Sequence, residues 1–271
     1  MRRLLLAAVM FGATAGAQAA DMPDFLRGSL PGNSVPTANW QGYYIGGQGG
    51  IGTSDMNFTG STHNVAANLL SGLEMEQQEQ VSSWPIMGKV SVHGTGYGFF
   101  AGHNSQWDDI VLGVEFNYLH GNFGGTGTGS RSEFFTLPSG YTDSVTYQGT
   151  ATMAISDMGT LRARAGYAYD CFLPYVFGGV ALGQANIITS AHVFGNQVNV
   201  NAAPGFTNVP FNLSATDAEN SHLIYGYAAG IGVDVQLPAG FILRAEWEYL
   251  RFTSAVDTSV NTARLGLGYK F

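Results

Sequence analysis

The chain contains segments in which apolar residues occupy every second position and small or polar residues occupy the positions between them. In one of them, Ile110, Leu112 and Val114 share one face of an extended strand, and Gly113 and Glu115 share the other. The same alternation occurs in residues 161–170, 225–237, 243–249 and 262–271, with weaker Gly-rich examples in residues 40–52, 97–107 and 173–183. A period of two is typical of β-strands with one apolar face, so the pattern predicts eight strands.

The connections between the predicted strands alternate between long and short. The long connections are residues 53–96, 121–160 and 184–224, and the tight turns are residues 108–109, 170–172 and 238–240. Only the last outer connection, near residues 254–257, breaks this rhythm by being short. A meander that crosses a membrane has this property, with short turns in the periplasm and long loops outside the cell. An even strand number then leaves both chain ends on the periplasmic side.

Composition favours a membrane barrel over a soluble sandwich. Charged residues make up 11% of the chain, against roughly a quarter in soluble domains. No stretch approaches the ~18 consecutive apolar residues of a membrane-spanning helix. Because a sheet in hydrocarbon has to close on itself, we predict an all-β fold, an eight-stranded antiparallel up-and-down transmembrane β-barrel with three long extracellular loops and short periplasmic turns. A secreted β-sandwich is the alternative.

The N-terminal segment has the features of a secretory signal peptide. Arg2 and Arg3 precede an apolar run over residues 4–17, and Ala17 and Ala19 supply the small residues of a cleavage site. We therefore assign residues 1–19 to a signal peptide, 20–39 to an irregular periplasmic lead-in and 40–271 to a barrel in the bacterial outer membrane. The single cysteine, Cys171, excludes an intramolecular disulfide, although it leaves an intermolecular one open.

Three sequence motifs carry a resemblance to a known family. They are WQGYYIG at residues 40–46, RARAGYA at 162–168 followed by LPYV at 173–176, and RLGLGYKF at 264–271. They resemble the first, fourth, fifth and closing strands of small alphaproteobacterial outer-membrane surface antigens, a porin family within the OmpA-like eight-stranded barrels. The resemblance implies that the barrel-assembly machinery is a partner and that Tyr269 and Phe271 form the assembly signal. It also implies a possible haem ligand, since some members are associated with haem binding.

The inward faces of the predicted strands carry both signs of charge. Eight strands leave an interior that side chains can fill, whereas general porins use sixteen or more strands. The residues expected to face inward are Glu115, Arg162, Arg164, Asp234, Arg244, Glu246, Glu248, Arg264 and Lys270. Their near balance predicts a plug of ion pairs, because an unpaired buried charge is costly; a narrow ion-selective path is the alternative. Loop charges such as Glu74 and Asp143 are expected to matter little for stability.

Other chemistry has weak support in the sequence. His93, His120 and His222 fall near the predicted outer rim, but no Ser–His or Asp–His spacing marks them as catalytic. No paired-His or Cys–His pattern indicates a metal or haem site, so we predict no catalytic residue, metal or cofactor. A net charge of −8 without a basic run argues against nucleic acid as a partner. Apolar positions within residues 65–79 predict a short amphipathic helix in the first loop.

These observations lead to one preferred function and two alternatives. The preferred function is that of a monomeric, non-enzymatic barrel that contributes to outer-membrane integrity and presents its loops outside the cell. Its partners are then outer-membrane lipid and lipopolysaccharide. One alternative is an adhesin, or a receptor for haem or a host surface, whose specificity lies in the loops. The other, less favoured, is a small-solute porin.

Overall fold

A computed structural model describes residues 38–205, 207–253 and 256–271, in which eight antiparallel strands close into one barrel in chain order. The strands are β1 (Gly42–Asn57), β2 (Lys89–Trp107), β3 (Ile110–Thr136), β4 (Thr142–Tyr167), β5 (Phe172–Val198), β6 (Asn208–Gln236), β7 (Phe241–Thr253) and β8 (Asp257–Lys270). The helices are α1 (His63–Leu69) and α2 (Glu74–Glu79), with 3₁₀ turns at Val81–Ser83 and Pro238–Gly240. The predicted all-β fold, an eight-stranded antiparallel barrel, is confirmed. The predicted signal peptide and nearly all of the lead-in lie outside the described residues.

The lower part of the barrel has its apolar side chains on the outside. Ile110, Leu112, Val114 and Phe116 are exposed, whereas Glu115 between them is buried. Exposed aromatic residues lie near both ends of this apolar belt, with Tyr43, Trp107, Tyr167, Phe241 and Tyr269 at the end with short turns and Tyr97, Phe99, Tyr225 and Tyr227 at the other. Such rings sit at the two membrane surfaces in barrels of this kind. None of the described helices is long and apolar enough to cross a membrane.

Two of the three predicted long loops are wrong, because strands β3 to β6 continue far beyond the outer aromatic ring. Residues 137–141 are all that connects β3 to β4, and residues 199–207 connect β5 to β6. The sequence obscures these extensions because polarity inverts at the membrane surface. Above it, the outward positions of β3 are mostly polar, with Phe134 as an exception, whereas the inward Phe123 is fully buried. We call the part of β3 to β6 above the outer ring the extension.

Irregular pairing in β4 and β6 exchanges the two faces of these strands at the base of the extension. The β4–β5 register shifts between Ile155 and Asp157. As a result, odd-numbered residues point outward below the shift, as Leu161 does, and inward above it, as Met153 does. In β6 the exchange coincides with Ser221, whose φ is +55°. A bulge inserts one extra residue, so every side chain beyond it points to the opposite face of the sheet.

The first long connection is a folded cap on the inner face of the extension. Ala66 of α1 and Leu70, the residue that follows α1, pack with Tyr147 of β4 and Val193 of β5 in a buried apolar cluster. The prediction of a helix here is confirmed, but it is divided in two at Gly72, which has a φ of +84°. That left-handed conformation favours glycine.

Asp143 is not a loop charge. It lies in β4, its side chain is fully buried, and Gln197 Nε2 donates a hydrogen bond of 2.9 Å to its carboxylate. Burial raises the pKa of the Asp143 carboxyl above its ordinary value, and the hydrogen bond from Gln197 offsets part of that shift. The placement of this charge in a loop was wrong, because the segment containing it is a strand with a covered face.

Replacing Asp143 with Asn should stabilise the extension at neutral pH. A carboxyl with a raised folded-state pKa binds its proton more tightly when folded, so the extension gains stability as pH falls from neutrality through that raised pKa. Proteolysis of the folded protein by subtilisin should therefore be slower for Asp143→Asn than for wild type at pH 7.5, with the difference vanishing near pH 4. Asp217→Asn, at an exposed position of β6, is the control. Equal cleavage of wild type and Asp143→Asn at pH 7.5 would contradict the assignment.

Candidate functional site: a charged cluster in the barrel interior

Eight charged side chains meet inside the barrel. They are the carboxylates of Glu115, Asp234, Glu246 and Glu248 and the guanidinium groups of Arg162, Arg164, Arg244 and Arg264, all buried. Every carboxylate lies within ion-pair distance of at least two of these arginines, and every arginine lies within that distance of at least two carboxylates. We refer to this set as the charged cluster. Its formal charges cancel.

Strand register places the members of the charged cluster opposite one another. Glu115 is the Cα partner of Arg162 across β3 and β4, and Asp234 is the partner of Arg244 across β6 and β7. Glu246 faces Arg264 across β7 and β8 in the same way. Directly opposed side chains on one face of a sheet lie close enough to interact, so the backbone pairing itself builds three ion pairs.

Glu115 is the carboxylate that contacts the most arginines in the charged cluster. Arg244 Nη1 lies 2.8 Å from Glu115 Oε2, and Arg164 Nη1 lies 3.3 Å from the same atom. Arg162 pairs with the other carboxylate oxygen, and the Tyr44 hydroxyl donates a hydrogen bond of 2.7 Å to Oε2. Strands β3 and β7 lie four places apart in a ring of eight, so the contact with Arg244 spans the barrel.

Two further carboxylates of the charged cluster, Glu246 and Glu248, lie on β7. Arg162 contacts Glu246 Oε1 at 2.6 Å and Glu248 Oε1 at 3.1 Å. Arg264 approaches Glu246 Oε2 at 3.5 Å and also pairs with Glu248. The Tyr175 hydroxyl donates a hydrogen bond of 2.8 Å to Glu246 Oε1. Charge-assisted bonds of this kind are stronger than neutral ones, and several per carboxylate are what burial requires.

Aromatic rings cover the flat faces of three arginines. The guanidinium carbon of Arg162 lies 4.0 Å from the ring centroid of Phe177, and that of Arg244 lies 3.9 Å from Phe100. Arg164 stacks on Tyr175 at 3.8 Å. Desolvated cation–π contacts of this type stabilise a charge by about 2 kcal/mol. With these rings and Tyr44, side chains from all eight strands surround the charged cluster.

Glycine makes room for the aromatic rings. A Cβ atom at Gly232 would lie 2.5 Å from the Tyr175 hydroxyl, so a larger residue there would displace the ring. The ring of Tyr175 thus requires glycine at position 232.

Apolar layers lie on both sides of the charged cluster. At the end with short turns, Trp40, Val111, Leu173 and Ile242 belong to one buried cluster, in which Phe100 and Tyr175 also take part. Toward the outer end, a larger set fills the interior, including Leu119, Phe123, Met153, Ile224 and Phe252. The side chains of Arg162 and Glu115 are consequently 1% and 0% exposed. The ion pairs are therefore made in a desolvated environment.

Eight of the nine residues predicted to face inward form the charged cluster, and Lys270 does not. Lys270 lies at the end of β8, where it is only partly buried, and its Nζ donates a hydrogen bond of 3.1 Å to the carbonyl oxygen of Gln41. The alternation placed Lys270 on the correct face but gave no information about depth. Near the barrel mouth a lysine reaches backbone carbonyls and solvent, so no carboxylate partner is needed.

The sequence did not indicate the uncharged residues that complete the charged cluster. Tyr44, Phe100, Tyr175 and Phe177 lie on β1, β2 and β5, whose inward faces the hydrophobic pattern could not assign. Asn117 also faces inward, and its side-chain oxygen accepts hydrogen bonds from Arg264 and from Gln48 of β1. The inward faces of β1, β2 and β5 can be assigned by aligning their alternate positions with the charged positions of the neighbouring strands, and this would have found these residues.

The histidines near the outer rim are dispersed. His120 Nδ1 lies 2.8 Å from Asp157 Oδ1, which also accepts a hydrogen bond of 2.5 Å from the Tyr118 hydroxyl. His222 lies 3.1 Å from Glu219, whereas His93 is exposed on β2. Within the described residues no group of three or more His, Cys, Asp or Glu side chains is arranged to hold a metal.

Cys171 lies in the tight turn between β4 and β5. Its thiol is free and exposed, and its carbonyl oxygen accepts a hydrogen bond of 2.8 Å from the Gln236 amide. The turn is at the end of the barrel where β1 begins and β8 ends.

Comparison with known proteins agrees with this architecture. The family model described as "Outer membrane protein beta-barrel domain" matches residues 4–271. The chain belongs to this family. It is an outer-membrane β-barrel protein, and its relatives include surface antigens.

Several curated relatives of this outer-membrane protein are named as immunogenic. A 25 kDa outer-membrane immunogenic protein of Brucella ovis is 28% identical over 174 residues, covering 64% of this chain and 62% of the relative. A 31 kDa outer-membrane immunogenic protein of Brucella melitensis is 27% identical over 286 residues and covers all of both chains. A 22 kDa outer membrane protein of Rhizobium leguminosarum is 22% identical, covering 87% of this chain and 80% of the relative.

Solved structures similar to this outer-membrane protein are also outer-membrane barrels. The attachment invasion locus protein Ail of Yersinia pestis is 12% identical, with a TM-score of 0.38 over 85% of this chain and 99% of that one. Neisserial surface protein A is 11% identical, with a TM-score of 0.37 over 84% and 97% of the two chains.

Removing one member of the charged cluster should strongly destabilise the barrel. Arg162→Ala leaves three carboxylates short of a partner, and Glu246→Ala does the same to two arginines, which typically costs about 3–5 kcal/mol. Unfolding by urea in detergent, followed by the mobility shift between unboiled and boiled samples, measures this loss. Arg251→Ala is the matched control. Arg251 lies on the same strand as Glu246, but its side chain is 47% exposed, and ion pairs at exposed positions contribute below about 1 kcal/mol. Similar losses for Arg162→Ala and Arg251→Ala would mean that water reaches the interior.

Proposed function

We propose that this outer-membrane protein is a structural barrel whose interior is plugged by the charged cluster. In this role it supports the integrity of the outer membrane and holds the extension and cap outside the cell, without catalysing a reaction. The observation that carries the proposal is the charge-balanced cluster, enclosed between two buried apolar layers.

The contacts of the charged cluster favour mechanical support of the barrel wall. Arg244 reaches Glu115 across the barrel, and Arg162 of β4 reaches Glu248 of β7. These pairs connect strands that are not neighbours, so they resist flattening of the ring as well as slippage between strands. Because these ion pairs join charges from five strands, the closed ring is the arrangement in which every charge has an ion-pair partner.

The same interior disfavours the porin alternative. A solute moving along the barrel axis would meet the apolar layer around Phe123 and Phe252, then the charged cluster, then the layer around Trp40. Eight strands enclose a space that side chains fill, and these side chains are buried. A narrow path would require moving the arginines away from their carboxylate partners in a desolvated interior, where water would not replace the lost contacts.

Ion flux through the purified protein tests the plug. Protein reconstituted into planar bilayers should give no stable openings of general-porin size, with a sixteen-stranded porin as positive control. The unboiled mobility of the same sample verifies that the barrel is folded. Stable openings of that size in folded wild-type protein would overturn the plug and establish the channel alternative.

The proposal extends to assembly, in which the closing strand is read by the barrel-assembly machinery. The Phe271 amide donates a hydrogen bond of 2.9 Å to the Tyr43 carbonyl oxygen, and the Phe271 ring packs edge-on against Tyr269 at 5.3 Å. These two aromatic side chains are exposed on the outward face at the end of β8, where another protein can contact them.

Deleting Phe271 should lower the amount of folded barrel in the outer membrane several-fold, while refolding in detergent stays near wild type. The difference arises because recognition operates only in cells. Phe241→Ala is the control, since Phe241 also packs on Tyr269, at 5.6 Å, but belongs to β7 and not to the closing strand. Folded yield in cells can be measured by heat-dependent mobility. An equal loss for Phe241→Ala would point to interfacial packing instead of recognition.

A further inference from the structure

The outward surface of the extension carries no formal charge. This surface consists of every second residue in segments 126–136, 142–152, 188–198 and 208–218, which pair row by row across β3 to β6. One row runs from Thr128 through Thr150 and Ser190 to Thr216. We call these 24 positions the outer face; none is Asp, Glu, Lys or Arg. Solvated protein surfaces carry about 25–35% charged residues, so roughly six to eight would be expected here.

The charges of these segments lie on the opposite face. Arg131, Glu133, Asp143 and Asp217 occupy the alternate, inward positions, which the cap partly covers. A sheet with one covered face and one face in water normally has the reverse distribution. Depletion of charge is the compositional mark of a surface that becomes buried against a partner.

The side chains of the outer face are suited to hydroxyl-rich ligands. Thirteen of the 24 carry a hydroxyl and four carry an amide. Cross-strand bonds such as Thr126 to Thr152 at 3.0 Å and Ser132 to Thr146 at 2.8 Å hold them in rows. A hydroxyl both donates and accepts, so each bonded pair can still bond a ligand. The exposed ring of Phe134 adds an apolar surface of the kind that packs against a sugar ring.

The position of the outer face identifies its occupant. It begins beyond the outer aromatic ring, on strands whose lower, lipid-facing surface continues into it. It points sideways from the barrel wall, and spans about 33 Å along the strands and about 14 Å across them, given ~3.3 Å per residue and ~4.8 Å per strand. In an outer membrane, the material beside a barrel at this height is the saccharide of lipopolysaccharide.

We propose that the outer face binds the uncharged sugar chain of lipopolysaccharide in the protein's own outer leaflet. The proposal requires the outer-membrane location but not the plug, so either can fail without the other. The phosphate-bearing lipid A part would need cationic side chains, which the outer face does not have. Neutral sugars need only hydrogen-bonding partners and ring contacts, which it provides.

Adding charge without changing shape tests this proposal. The triple variant Gln148→Glu, Asn208→Asp, Asn212→Asp replaces exposed amides of the outer face with carboxylates of nearly equal size. The matched control Asn64→Asp, Asn68→Asp, Gln78→Glu makes the same change in charge at exposed positions of the cap. The probe is an uncharged polysaccharide released from lipopolysaccharide by mild acid, added to protein folded in detergent and followed by calorimetry.

Affinity for this polysaccharide should fall at least ten-fold in the outer-face variant and change less than two-fold in the control. Absence of binding by the wild type, equal losses in both variants, or binding of lipid A in place of polysaccharide would each overturn the proposal. Folding of all proteins is verified by their unboiled mobility.

A second measurement uses the protein in its membrane. In a Cys171→Ser background, Thr128→Cys reports on the outer face and Asn64→Cys on the cap, both as folded protein. Maleimide labelling of Thr128→Cys should be at least ten-fold slower in cells that make the polysaccharide than in cells lacking it, with Asn64→Cys much less affected. Equal rates for Thr128→Cys in the two strains would overturn the proposal. So would protection that persists without polysaccharide and accompanies a dimer, since a second copy would then cover the face.

Discussion

The cost of removing charge from water governs the interior of this barrel. Four carboxylates and four guanidinium groups are buried together, and each ion alone would carry a penalty of several kcal/mol. The observed solutions to that penalty explain otherwise unrelated features. Opposed strand positions create the pairs, tyrosine hydroxyls occupy remaining carboxylate lone pairs, and aromatic rings cover guanidinium faces. Even Gly232 follows from this constraint, because it leaves space for the ring of Tyr175.

The sequence predicted the ionic part of this site well and its aromatic part poorly. On β3, β4 and β7 the inward residues at the level of the charged cluster include its charges and the outward ones are apolar, so alternation separates the faces. On β1 and β2 aromatic residues occupy both faces, as Tyr43 and Tyr44 show. The inward rings stack on arginines, and hydrophobicity alone cannot distinguish a ring facing lipid from one facing a guanidinium group. The depth of a residue, which separates Lys270 from Arg264, is likewise absent from a period of two.

Strand ends were misjudged for a different reason. Hydrocarbon requires the outward face of a strand to be apolar, whereas above the membrane surface the covered inward face is the apolar one. Strands β3 to β6 pass from the first environment into the second. On β3 the apolar positions move from the outward to the inward side after Tyr118, so the alternation ends although the strand does not. On β4 the alternation continues, but the register shift near Asp157 exchanges its faces. A pattern of polarity describes the surroundings as much as the backbone.

The register shifts therefore also divide the chain into two parts that can change separately. Below them, each residue is tied to the ring by closure and by the charged cluster. Above them, β3 to β6 form an open sheet with its own apolar core, and this sheet meets no membrane. Residues added or lost at the strand tips leave the pairing below the shifts in place. Changes in length or sequence at the exposed tips can therefore occur without altering the strand pairing that closes the ring.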